Sequence, residues 1–270
     1  MNKLKLISIL LGFSIIGNAQ AYTPKNMDVF NNVVDAIISD DISGFVSNDN
    51  AMLTRGVTSI NAAKIISVYH NNEMAGDKQF KGKPVRIKTI ASAIKTDFSG
   101  DAYIVANGRN SYESVMLKID KDDERNLKIN KGNKIDFVCF GGGMIMNTPV
   151  LNSCMYPKDF ADLVYSNVKN KIMNISNKNY KPSSVLEGKI AYVYISFENQ
   201  VQDHCLGSEK ECLSYIKKLA EKPDGIKKDD LSGEQIKKIN EIKGVVESDK
   251  SLPLAPTKPV ESTRLKKLLG

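Results

Sequence analysis

FVCFGGGMIMNTPVLNSC, residues 137–154, sets three consecutive glycines between Cys139 and Cys154. Such a stretch can cradle a phosphate, hold a metal, or form a hairpin stapled by sulfur. A phosphate loop needs a Lys-Ser or Lys-Thr pair behind its glycines and a helix beyond them. Met144, Ile145, Met146 and Pro149 stand there instead, which argues against a nucleotide site. On either side, residues 134–140 and about 148–155 are short β-rich runs.

Upstream the same character continues. From Pro84, Val85 and Ile87 alternate with Arg86 and Lys88, and then the parity slips so that Ile90 and Ile94 share a face. A slip inside a strand predicts a bulge or bend. Residues 102–107 and 114–120 are further short β-rich runs, set off by the turns Ser99-Gly100-Asp101 and Gly108-Arg109-Asn110. Five short strands in a row predict a barrel or sandwich.

Helical periodicity brackets this block. Val29, Phe30, Val33, Val34, Ile37 and Ile38 form an apolar stripe over residues 26–45, and Ala62, Ile65, Ile66, Tyr69 and Met74 form another over about 61–77. Beyond Tyr156, the apolar residues Phe160, Leu163, Val164, Val168 and Ile172 repeat at helical spacing, and residues 174–184 read as loop. IAYVYISF, residues 190–197, fits a strand or a buried helix. Ser208 with Glu211, and Ser232 with Gln235, have capping-box spacing. Residues 251–270 read as a Pro- and Lys-rich mobile tail.

The first 21 residues have the pattern of a secretory leader: Lys3 and Lys5, an apolar run from 6 to 16, and Ala19-Gln20-Ala21 at the cleavage point. The run falls short of the ~20 residues a bilayer span requires. The expected product, cut near Ala21, is periplasmic or secreted. Subtracting the two leader lysines from +7 leaves +5, which suits an anionic polymer, an envelope headgroup, an acidic protein or plain solubility equally. All four cysteines, at 139, 154, 205 and 212, follow the leader, and an even number in an oxidising compartment favours pairing.

YHNNEMAGDKQFKGKPVRI, the acidic turn at 97–101, ESVMLKID, KGNKIDFVCFGGG and PVLNSCMY together resemble the tRNA-anti-like family of mostly exported OB-fold proteins. The resemblance covers about residues 58–157. Its most specific pieces are Asn72-Glu73 with Ala75, Asp77, Phe80 and Gly82, and Lys131-Gly132. It implies a five-stranded OB-fold β-barrel led by a helix, and with the N-terminal and C-terminal helices read from periodicity the expected fold is α+β. Transfer-RNA binding is not implied for a chain read as exported. The expected division is a leader at 1–21, a helical segment at 22–57, the OB domain at 58–157, a mostly helical region at 158–250 and the tail at 251–270.

In such a barrel the fourth and fifth strands are antiparallel neighbours, which implies a Cys139–Cys154 disulfide with the glycines serving the turn. Cys205 and Cys212 lie about 10.5 Å apart in an unbroken helix, beyond a disulfide's reach. A helix starting at Ser208 lets Cys205 fold back, so that pair is expected to be bonded too. His204 beside Cys205 lacks further ligands for zinc.

Catalytic constellations are absent from this reading, and no metal or cofactor is expected. His70 and His204 have no nucleophile or carboxylate at a recognised spacing. Glu73 and Asp77 are explained by capping and by ion pairing to Lys81 or Lys83. Asp120, Asp122, Asp123 and Glu124 lack the order of a calcium loop. OB barrels commonly bind through strands two and three. With Ile104, Val115, Leu117 and Ile119 inward, Tyr103, Tyr112, Met116 and Lys118 face outward beside Arg86 and Lys88. The first expectation is a non-enzymatic module that binds a protein or another envelope component. The second is a single-stranded nucleic-acid or anionic-oligosaccharide binder using Arg86, Lys88, Tyr103, Arg109, Tyr112 and Lys118. Whether the flanking helices cover this face stays open.

Overall fold

The computed structural model describes residues 22–221, 230–250 and 252. The expected leader and nearly all of the expected tail therefore lie outside the described residues.

Helix α1 (Met27–Ser47) begins where the Asn26 side chain accepts from the backbone N–H groups of Asp28 and Val29, and it ends at Asn48 in the left-handed conformation. The second helical stripe is broken in two. Asn72 closes α2 (Ala62–Asn71) and its side chain caps α3 (Glu73–Phe80) by accepting from Ala75 N–H at 3.0 Å. This explains the resemblance motif physically. Phe80 is fully buried, and Gly82 turns the chain into the sheet at φ 71°.

Among the described residues there are seven strands in chain order: β1 (Thr58–Ile60), β2 (Pro84–Ile90), β3 (Ala93–Thr96), β4 (Ala102–Asn107), β5 (Ser114–Ile119), β6 (Lys134–Ile145) and β7 (Thr148–Met155). They form one open sheet in the order β1-β2-β6-β7-β5-β4-β3, so the expected closed five-stranded barrel is not what the ladders make. The difference has a local cause. The parity slip seen in the sequence divides strand one at Ala91-Ser92, whose N–H groups donate to Asn133 and Val105 on opposite sides. One half, β2, thus pairs with β6 and the other, β3, with β4. The pairing of β5 with β7 is parallel, and the added β1 is parallel to β2.

A second correction concerns the glycines, which lie inside β6 and not in a turn. The turn is Met146-Asn147, both at positive φ. A Cβ on Gly141 would lie 2.2 Å from the Phe80 carbonyl oxygen, because the α3–β2 corner crosses β6 there. Gly82 N–H donates to the Gly141 carbonyl at 2.8 Å and Gly141 N–H to that of Lys83 at 3.1 Å. The expected sulfur pairing holds: Cys139 is bonded to Cys154 and Cys205 to Cys212.

Two cores result. In one, Ile65, Ile66 and Tyr69 of α2 pack with Phe80, Ile87, Ile104, Leu117 and Phe137, closing the inside of the curved sheet. The other joins α1 to α4 (Pro157–Ile172), α5 (Val185–Val201), α6 (Glu209–Ala220) and α7 (Gly233–Ser248), with Val138 and Phe140 of β6 attached. IAYVYISF is the centre of α5, where residues 194–198 are all buried. A helix enclosed on every side loses its amphipathic period.

Candidate ligand-binding face

Ile104, Val115, Leu117 and Ile119 point into the core as expected. Alternation then fixes the opposite face of β3, β4 and β5. Register places Lys95 beside Tyr103 and Tyr103 beside Lys118, a row of cation, ring and cation across three strands. The next row is Ala93, Val105 and Met116. None of these residues belongs to the helical core, and all are half-buried or exposed. The face is left uncovered by the helices among the described residues.

Its two ends carry exposed rings. Tyr112, in the β4–β5 turn, is 96% exposed, and Phe98, in the β3–β4 turn, is fully exposed. Asn110 shapes the first turn by accepting from Tyr112 N–H and Glu113 N–H. Asp97 shapes the second, accepting from the Ser99 hydroxyl at 2.6 Å and from the N–H groups of Ser99 and Asp101. Those donors, the Ser99 hydroxyl first, hold the Asp97 carboxyl below the usual carboxylate range, with Lys118 adding to the effect. Phe98 and Lys95 were not legible as site residues, since Phe98 sits in a polar turn and Lys95 lies beyond the parity slip.

Of the remaining members of the expected set, one stays at an end of this face and two do not. Arg109 is exposed in the β4–β5 turn near Tyr112. Arg86 must be withdrawn from a surface role: it is 3% exposed. Its guanidinium is bidentate to Asp136 and donates to the carbonyls of Phe45 and Val46 at the end of α1. Lys88 lies 3.5 Å from the same Asp136, on a ladder away from Tyr103.

The other candidates for chemistry have structural occupations. Asp77 pairs with Lys81 at 2.7 Å and accepts from the Tyr69 hydroxyl. Burial, and then Asp77, push the Tyr69 phenol up to about 12. Asp123 and Asp159 share Arg125, which lies over the Tyr156 ring at 4.2 Å. Hydrogen bonding from Arg125 holds Asp123 low. His204 stacks on Tyr215 with ring centroids 3.7 Å apart, and His70 reaches the Asn147 carbonyl at 3.2 Å. Among the described residues no cluster of three or more His, Cys, Asp or Glu is arranged to hold a metal, and no helix is long and apolar enough to cross a membrane.

A mixed sheet with OB-like connectivity, and a strand face left uncovered among the described residues, is the fold of an OB-type binding module. The model of the tRNA_anti-like family matches residues 4–155, more than half of the chain, and the protein belongs to that family. The match reaches further toward the N-terminus than the resemblance at 58–157 and takes in α1. Comparison with curated proteins returned no match.

Proposed function

We propose that this chain is an exported, non-enzymatic OB-fold binding module that holds a protein partner in the envelope through the outer face of β3, β4 and β5. The observation that carries the reading is the pair of exposed rings, Phe98 and Tyr112, at the two ends of a strand face with Val105 and Met116 between them. Exposed aromatics and Met on a surface of mixed charge are the composition of protein interfaces. Two disulfides and the leader pattern support export, since such bonds persist in oxidising compartments.

The test uses the purified chain and a Tyr103→Asp, Met116→Asp variant, each immobilised and exposed to envelope extract. A partner kept by the first and lost by the second, with both equally folded, supports the proposal. Equal retention on both would overturn it.

A second reading rests on the Lys95, Tyr103, Lys118 row, which places one ring between two cations. A base or sugar stacked on Tyr103 would be worth roughly 1–3 kcal/mol. Losing Arg86 and Lys88 from this set weakens the anionic-polymer case. Titration with single-stranded oligonucleotides and acidic glycans across salt decides it, because phosphate contacts give a steep salt slope and an apolar protein interface does not.

A further inference from the structure

A cleft of about 470 Å³ opens within the helical layer, between α1, α5, α6 and the chain segment after α1. It lies apart from the strand face discussed above. Ile190, Phe197 and Ile216 are buried at its floor, and Ile37, Val193 and Leu213 line it half-buried. Small-molecule sites typically occupy ~300–1,000 Å³ and are mostly apolar with a few polar anchors.

The charged groups of the cleft fall into two kinds. Asp41 is 8% exposed and saturated: it accepts from the N–H groups of Met52 and Leu53 and from the Tyr165 hydroxyl. Asp40 is taken by Lys217 at 2.7 Å. That leaves Arg55, exposed, and Lys189, half-buried, as cleft cations with no acidic partner among the described residues. An apolar trough with unbalanced positive charge at its edge is complementary to an anionic amphiphile. The volume equals that of about 16 liquid waters. A methylene fills nearly as much space as a water, so the cleft suits one acyl chain and not two.

We infer that this cleft binds a single long-chain fatty acid, with its carboxylate between Arg55 and Lys189 and its chain over Ile37, Val193 and Leu213. Arg55 offers a planar two-point match to a carboxylate, and Lys189 a second charge.

The experiment is a fluorescence titration of the purified chain with cis-parinaric acid, followed by displacement with saturated fatty acids of decreasing length. Saturable one-to-one binding is expected, weakening about fourfold per methylene removed. Arg55→Glu with Lys189→Glu should weaken binding about tenfold or more. In that double variant the fatty alcohol should bind better than the fatty acid of equal length, because the two new carboxylates repel an anion and not a neutral headgroup, which loss of packing alone would not produce. Leu213→Trp should block the trough, and Lys118→Glu, on the strand face, should leave binding unchanged.

Three results would overturn the inference. The first is no saturable binding. The second is binding indifferent to both Arg55→Glu with Lys189→Glu and Leu213→Trp. The third is binding that appears only in a chain ended after residue 252, which would assign the trough to the chain's own C-terminal segment. None of these bears on the strand face, whose test uses other residues.

Discussion

Arg86 and Asp136 are diagonal neighbours across the β2–β6 ladder, joined by two contacts of 2.8 and 2.6 Å. The same guanidinium donates to the carbonyls of Phe45 and Val46. Helix α1 has no basic residue in its own last turn, so the sheet supplies the cation that its C-terminal carbonyls favour. This contact couples the sheet to the helical layer.

Arg86→Leu should therefore cost ~1–3 kcal/mol, because it removes the donor to two helix-end carbonyls and leaves Asp136, about a third exposed, with Lys88 alone. Adding Asp136→Leu should recover part of that loss. Urea unfolding of the two single variants and the double variant measures it, and strict additivity would contradict the coupling.

Gly141→Ala should destabilise by ~1–3 kcal/mol or more, since the new methyl meets backbone and not a movable side chain. Gly233→Ala, where nothing lies within 4 Å at the start of α7, should be neutral or mildly stabilising. Thermal unfolding of both variants gives the comparison.

Alkaline pH should unfold the protein. Burial is the largest cause that raises the phenols of Tyr22, Tyr165, Tyr180 and Tyr194 far above their usual value, and it takes Tyr69 to about 12. In the unfolded chain all five titrate near 10. Above that pH the unfolded state binds fewer protons than the native state, so stability falls as pH rises. It is fully present below about pH 10, and the Tyr69 share is lost between about 10 and 12. A melting temperature that stays constant across that window would contradict this.

The Cys139–Cys154 bond closes a loop with a sequence separation of 15 and Cys205–Cys212 one of 7. Chain entropy predicts ~3 kcal/mol for the first and somewhat less, ~2.5 kcal/mol, for the second. Double Cys→Ser variants, unfolded in urea, check both the size and the order.

Much of the sheet was legible because its signals are local. Strands β4, β5 and β7 carry their own alternation and turns, and the slip between Ile90 and Ile94 marked where strand one divides. What stayed hidden depends on distant partners. Arg86 reads as an outward cation until Val46, 40 residues earlier, is brought against it. Gly141 to Gly143 read as a turn because the corner at Phe80 that crosses them is far upstream in sequence. Residues 190–197 read as strand or helix because burial on all sides erases the period. On the strand face, Tyr103, Met116 and Lys118 followed from parity alone. Lys95 and Phe98 required the register across the kink.

Strand β4 has six residues, so about 20 Å separate its ends, and a partner seated on the face must reach both rings. A photo-crosslinking residue placed in turn at Phe98, at Tyr112 and at Asn170 on α4, in cells producing the protein, tests this most directly. One and the same adduct from 98 and 112, with none from 170, is the predicted result. An adduct from 170 alone, or none from either ring position, would contradict a binding role for the face.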